Sequence, residues 1–271
     1  MEIAKTKIIC LSVMAAAVFV CCGCLTDKAY VVDSSKETEG QPQIPSTAKD
    51  YTVTGYESYA TEVGELSSLC LNQKKDGLYA VGDEGDVFEI GFDGKTRKVL
   101  MKKGGHDWEG VDCSGNDIIL MEETESSIYR FSGGKLSLVA EIDVPGGGVS
   151  GKGPEGIMCV NDMVYVGNQA QPTRIVKYNM AESKTDGWFD IGFVSRFISD
   201  LCYDSVDKTM WVIDSKAPAF YHCTLDGTLI ATYHIPFVTQ AEALAVDHAS
   251  GIAWVGCDKT SKLYKIPIEI Q

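Results

Sequence analysis

Short apolar runs recur along the chain, each closed by Gly, Asp, Asn or Ser, and no stretch beyond the first two dozen residues keeps a helical period. Five of these runs superimpose. They begin at Ser67-Ser68-Leu69, Glu109-Gly110-Val111, Glu155-Gly156-Ile157, Ser199-Asp200-Leu201 and Glu242-Ala243-Leu244, with steps of 42, 46, 44 and 43 residues between starts. Each leads through a turn into a second strand (Gly77–Val81, Asp117–Met121, Met163–Gly167, Thr209–Ile213, Gly251–Gly256) and then a third. Asp93-Gly94, Gly133-Gly134 and Asp226-Gly227 supply the positive-φ residues of tight hairpins before a fourth strand. A four-stranded unit at a period of about 44 residues predicts an all-β chain folded as a β-propeller. Five starts predict five four-stranded blades. The last repeat reaches Gln271 without a fourth strand, and the alternating stretch Tyr51–Tyr59 is expected to supply it, closing the ring from the N-terminal side.

The pattern changes at the N-terminus. Lys5 and Lys7 precede an apolar run, Ile8–Val20, that ends in Cys21-Cys22-Gly23-Cys24. This predicts a lipoprotein signal peptide over 1–23, with Cys24 the lipidated residue and Cys22 the alternative; the run is short for a membrane span. Residues 24–50 are polar and read as a flexible tether, which leaves 51–271 as the propeller domain. The expected location is a bacterial cell envelope, with the membrane as partner through the lipid anchor. Of ten cysteines, three fall in this leader and a fourth is Cys24 itself. Cys70, Cys113, Cys159 and Cys202 are read as corresponding positions on the innermost strands, hence small buried hydrophobes at blade contacts, with a disulfide or thiolate-metal site as the alternative. Cys223 and Cys257 remain open as a pair. The formal charge is −14, and the leader's Lys5, Lys7 and Glu2 carry +1 of it, so the remainder carries −15. That excess of acid excludes nucleic acid as a partner.

The acids are not scattered. A propeller brings the start of each innermost strand and the end of each second strand to one face, around the channel. The starts carry Glu109, Glu155 and Glu242, and the second-strand ends carry Asp83, Asn168 and Asp214. Converging carboxylates repel unless a cation sits among them. A hard ion such as Ca²⁺ takes oxygen ligands of these types. Those six residues are therefore the expected metal ligands, with Ca²⁺ as cofactor; hydrogen bonding to neighbouring strand starts is the alternative use for the same acids. His106, just ahead of Trp108-Glu109, is the candidate general base. Trp108 and Trp188 are read as blade packing or pocket lining. The glycine cluster 146–153 reads as a loop beside the channel mouth. No nucleophile elbow, phosphate loop or His-Glu-x-x-His motif is present.

The phrases Glu65-Leu-Ser-Ser-Leu, Leu78-Tyr-Ala-Val-Gly-Asp-Glu-Gly, Asp107-Trp-Glu-Gly-Val, Gly153-Pro-Glu-Gly-Ile and Gln240-Ala-Glu-Ala-Leu, in this order, resemble the SdiA-regulated protein family over about Glu62–Ile268. These are bacterial envelope propellers distantly related to NHL-repeat proteins. Ala243 stands where the family tends to Gly, and Asn168-Gln169 where it has an acid. The resemblance implies an envelope propeller and no particular reaction. A more distant likeness is to calcium-dependent lactonase and phosphotriesterase propellers. Two functions follow as expectations: binding of a small-molecule or protein ligand on an acidic, Ca²⁺-loaded face, or metal-dependent hydrolysis of lactones or phosphoesters.

Overall fold

The computed structural model describes residues 47–102, 104–146, 153–194 and 197–269. The glycine cluster lies largely outside them, as do the leader, Cys24 and most of the tether.

Two short strands come first, β1 (Lys49–Thr52) and β2 (Glu57–Ala60). Blade one is β3 (Leu66–Leu71), β4 (Leu78–Gly82), β5 (Asp86–Ile90) and β6 (Thr96–Lys102). Blade two is β7 (Trp108–Ser114), β8 (Asp117–Glu122), β9 (Ser127–Ser132) and β10 (Lys135–Glu141). Blade three is β11 (Pro154–Val160), β12 (Met163–Asn168), β13 (Arg174–Asn179) and β14 (Lys184–Asp190). Blade four is β15 (Asp200–Asp204), β16 (Thr209–Asp214), β17 (Ala219–Thr224) and β18 (Leu229–His234). Blade five is β19 (Ala241–Asp247), β20 (Ile252–Cys257), β21 (Lys262–Pro267) and, last, the returning β2. Each blade is an antiparallel meander, and the innermost strands β3, β7, β11, β15 and β19 contact one another in a closed ring. The protein is a five-bladed β-propeller. Its one helical element among the described residues is a 3₁₀ turn, Asp258–Thr260.

The closing strand is shorter than the sequence predicts. Glu57–Ala60 pairs antiparallel with β21, and Lys265 Nζ meets Glu57 Oε1 at 2.8 Å. Tyr51 goes elsewhere: β1 runs parallel to β18 as a fifth strand on blade four, and the Tyr51 ring stacks on Tyr233 at 4.8 Å. The alternation read from Tyr51 and Val53 is real, but both side chains pack on the core between blades four and five.

That core is divided. Five apolar clusters each span one blade junction: Cys70, Val87 and Val111 between blades one and two; Met121, Ile157 and Val166 between two and three; Ile175, Leu201 and Met210 between three and four; Phe220, Leu244 and Val255 between four and five; Leu66, Leu78 and Trp254 between five and one. Burying one such side chain contributes roughly 1.5–3 kcal/mol. Stability is therefore shared around the ring and depends on its closure.

Candidate functional site: the acidic channel mouth

A bulge places the acids. In blade two, Trp108 pairs with Glu122 and Gly110 with Met121, so Glu109 is an extra residue with no partner in the ladder. The same one-residue excess falls at Ser67 in blade one, across Glu155-Gly156 in blade three and at Glu242 in blade five. In blade four, β15 begins one residue after Ser199, whose N–H donates to Ile213 O at 3.0 Å. A bulge redirects the extra residue's side chain and bends the strand. Repeated around the ring, it turns Glu109, Glu155 and Glu242 away from the regular faces of their sheets.

The next position holds Ser68, Gly110, Gly156, Asp200 and Ala243. It is small because the inner strands approach closely here: a Cβ on Gly156 would lie 2.3 Å from the Asp200 Cα, and one on Gly110 would lie 2.7 Å from the Glu155 O. Asp200 alone is large, and it plugs the ring. Its carboxylate accepts Ser68 Oγ at 3.0 Å and the N–H groups of Leu69, Leu201 and Leu244 at 3.2, 2.9 and 2.8 Å. Ser68 Oγ in turn accepts the Val111 N–H at 2.9 Å. One carboxylate thus links blades one, four and five, and through Ser68 blade two. Complete burial pushes its pKa well above the usual range, and the four donors pull against that.

Asp83, Asp107 and Glu109 bring carboxylate oxygens within 4.8 Å of one another. Burial, then the charges of Asp83, Asp107, Glu242 and Glu123, push Glu109 up to about 9. Burial and the charges of Asp83, Glu123 and Glu122 raise Asp107 to about 6. Glu242 rises to about 7 through burial and Asp258, against the hydrogen bond from Gln240 and the charge of Lys216. Glu65 is raised too, chiefly by Asp83. Acids from blades one, two and five therefore share one field, which adds to burial in making Glu109, Asp107 and Glu242 harder to ionise.

The remaining predicted residues are placed differently. Glu155 is buried, its carbonyl against Gly110. Asn168 is buried beside it; its amide donates to Ala170 O at 3.2 Å and Pro172 O at 2.6 Å, while its Oδ1 has no protein partner. Ser199 Oγ and Ser215 Oγ, in blade four, are likewise buried without a protein partner. Asp214 is not among the three carboxylates that meet within 4.8 Å. Its Oδ1 caps the following turn, accepting the N–H groups of Lys216 and Ala217 at 2.9 and 3.0 Å. Sequence reasoning missed Asp107 as a partner, although it lies two residues from Glu109 on the same bulged segment.

His106 sits on that segment, its ring stacked on Trp108 at 4.5 Å. Trp108 is fully buried, and its Nε1 donates to Gly85 O at 2.9 Å. Trp188 is on the outermost strand of blade three, under the Arg174 guanidinium at 3.5 Å, away from the channel. Cys223 and Cys257 do not pair; their thiols donate to Met210 O and Thr239 O.

No protein-family model matches the chain, and no curated protein does either. Solved structures match by shape. The glutaminyl cyclase of Myxococcus xanthus superimposes with a TM-score of 0.63 at 13% identity, over 81% of this chain and 97% of that one. A chain of a nidogen–laminin complex gives 0.50 at 11% identity, over 73% and 74%. Virginiamycin B lyase of Staphylococcus aureus gives 0.47 at 16% identity, over 75% and 66%. The first two likenesses show the propeller fold, and at such identities they carry no activity with them.

Proposed function

We propose that the protein is a lipid-anchored envelope propeller of the SdiA-regulated type that binds a ligand or partner on a Ca²⁺-loaded channel mouth. The observation that carries this reading is the approach of Asp83, Asp107 and Glu109 to within 4.8 Å at a bulge repeated around the ring. Three carboxylates this close are a poor resting arrangement without a cation and a good one around it. Asp83, Asp107 and Glu109 would hold the ion, with Glu242 near enough to feel their charge. The orphaned Asn168 Oδ1 and Ser199 Oγ offer further uncharged oxygens to an ion, a water or a bound ligand at the mouth. Ca²⁺ suits six to eight such ligands at ~2.3–2.6 Å better than it suits nitrogen or sulfur. Lipidation at Cys24 and the polar tract after it would hold this face off the membrane.

A second reading, a metal-dependent hydrolase of lactones or phosphoesters, is favoured by one feature: Asp83 is exposed, so the cluster opens to solvent on that side. His106 or Asp107 would then take the proton from water while the ion polarises the substrate oxygen. Thermal unfolding with and without calcium tests the shared premise. A saturable rise in melting temperature in the parent, lost in Glu109→Gln, supports a metal-loaded mouth, and an equal rise in both overturns it. Activity against lactones and phosphoesters then separates the two readings.

A further inference from the structure

The lower end of the channel carries a second cluster, of a different chemistry. The four inner-strand cysteines do not occupy one equivalent position. Leu69, Leu201 and Leu244 all donate to Asp200, which places Cys70 and Cys202 one residue beyond the shared point. Cys159 N–H donates to Asp112 Oδ2 as Val246 N–H donates to Cys202 Sγ, which places Cys159, and by the same register Cys113, two residues beyond. Alternation along a strand turns these two positions to opposite faces. Cys70 therefore faces blade two and Cys113 faces blade one, and they meet: Sγ to Sγ is 3.8 Å.

Asp112 joins them. It approaches the two sulfurs with all three donor atoms within 4.8 Å of one another. Its oxygens also accept Cys113 N–H at 2.7 Å and Cys159 N–H at 2.6 Å, which fixes the carboxylate in place. The group lines a cavity of 230 Å³ that Cys159, Cys202, Lys75 and the Asp204–His248 pair also border. Burial pushes the Cys70 thiol well up, so without metal it is protonated at neutral pH.

We propose that Cys70, Cys113 and Asp112 form a binding site for a thiophilic divalent cation of the Zn²⁺ class, with its fourth position open to the cavity. A tetrahedral ion with Zn–S bonds of ~2.3 Å sets two sulfurs about 3.8 Å apart, the separation found. Loading is a proton exchange without redox: two thiols lose their protons to solvent and two metal–sulfur bonds form. The site ties blade one to blade two, and it is distinct from the oxygen-only mouth at the other end of the channel.

Co²⁺ reports thiolate ligation by its charge-transfer absorption. The test uses the full chain with Cys10, Cys21, Cys22 and Cys24 replaced by Ser, reduced with a phosphine. With millimolar Ca²⁺ present to occupy the mouth, one thiolate-ligated Co²⁺ per chain, with a band that Zn²⁺ abolishes and that Cys70→Ser/Cys113→Ser lacks while Cys223→Ser keeps it, is the expected result. No band, or an equal band in the double variant, overturns the proposal. Should the double variant not fold, alkylation of the parent decides: bound Zn²⁺ must protect Cys70 and Cys113 and leave Cys223 as before. Protection of neither overturns the site, and so does a mass showing that they have formed a disulfide that the phosphine does not reduce.

Discussion

Ser68 of blade one donates its hydroxyl to Asp200 of blade four at 3.0 Å, although blade five separates the two around the ring. The bond joins inner strands that are not neighbours in the ring. It marks Asp200 as the point where the propeller is tied through its centre, since the same carboxylate takes backbone N–H groups from blades one, four and five.

Asp200→Ala leaves those three N–H groups and the Ser68 hydroxyl buried without an acceptor, at about 1–3 kcal/mol for each group left unsatisfied. With four groups affected, a total loss of about 4 kcal/mol or more is expected, read as a lower denaturation midpoint at unchanged m-value. Asp200→Asn keeps one carbonyl oxygen and should fall between the variant and the parent.

Gly156→Ala probes the same constriction from the other side. Its Cβ would meet the Asp200 Cα and C at 2.3 and 2.7 Å, atoms that cannot turn aside. Overpacking of this kind costs about 1–3 kcal/mol. Gly115→Ala has open space around it and serves as the comparison, although its φ of +61° adds strain of its own.

The mouth carboxylates make stability depend on pH in a direction opposite to ordinary ion-paired acids. Glu109 titrates near 9, Glu242 near 7 and Asp107 near 6 in the fold, against 4.5, 4.5 and 3.8 unperturbed. Between those values the native state holds more protons than the unfolded chain, so stability falls as pH rises. Their contribution is complete below about pH 4 and is lost progressively up to about pH 9. With a chelator present, the melting temperature is expected to decline across pH 6 to 9. Glu109→Gln should flatten that decline; an undiminished slope would contradict the assignment.

The architecture was readable because repetition is a one-dimensional signal: five starts at equal spacing and five recurring strand pairs survive without any tertiary information. Closure was readable only in part. Tyr51 and Val53 alternate as a strand should, but alternation does not say which sheet receives them, and stacking on Tyr233 decides that. At the site, position in the repeat pointed to Glu109, Glu155 and Glu242. It could not show that Asp214 would spend its carboxylate on a turn, because an Asx cap and a metal ligand have the same residue type in the same place. Asp107 was passed over for being outside the aligned position, and only the bulge at Glu109 brings its oxygen near. The cysteines differ by one residue in the sequence itself: Cys70 and Cys202 lie 3 residues after their repeat starts, Cys113 and Cys159 lie 4. One residue turns a side chain to the other blade.

The most direct test of the mouth as a cation site is calorimetry of calcium binding at pH 7.5 in two buffers of different ionisation heat. Glu109, largely protonated at that pH, must lose its proton to become a ligand, so saturable binding with release of about one proton per ion is the expected result. An absence of saturable heat at millimolar calcium, or binding that releases no proton, would contradict the account.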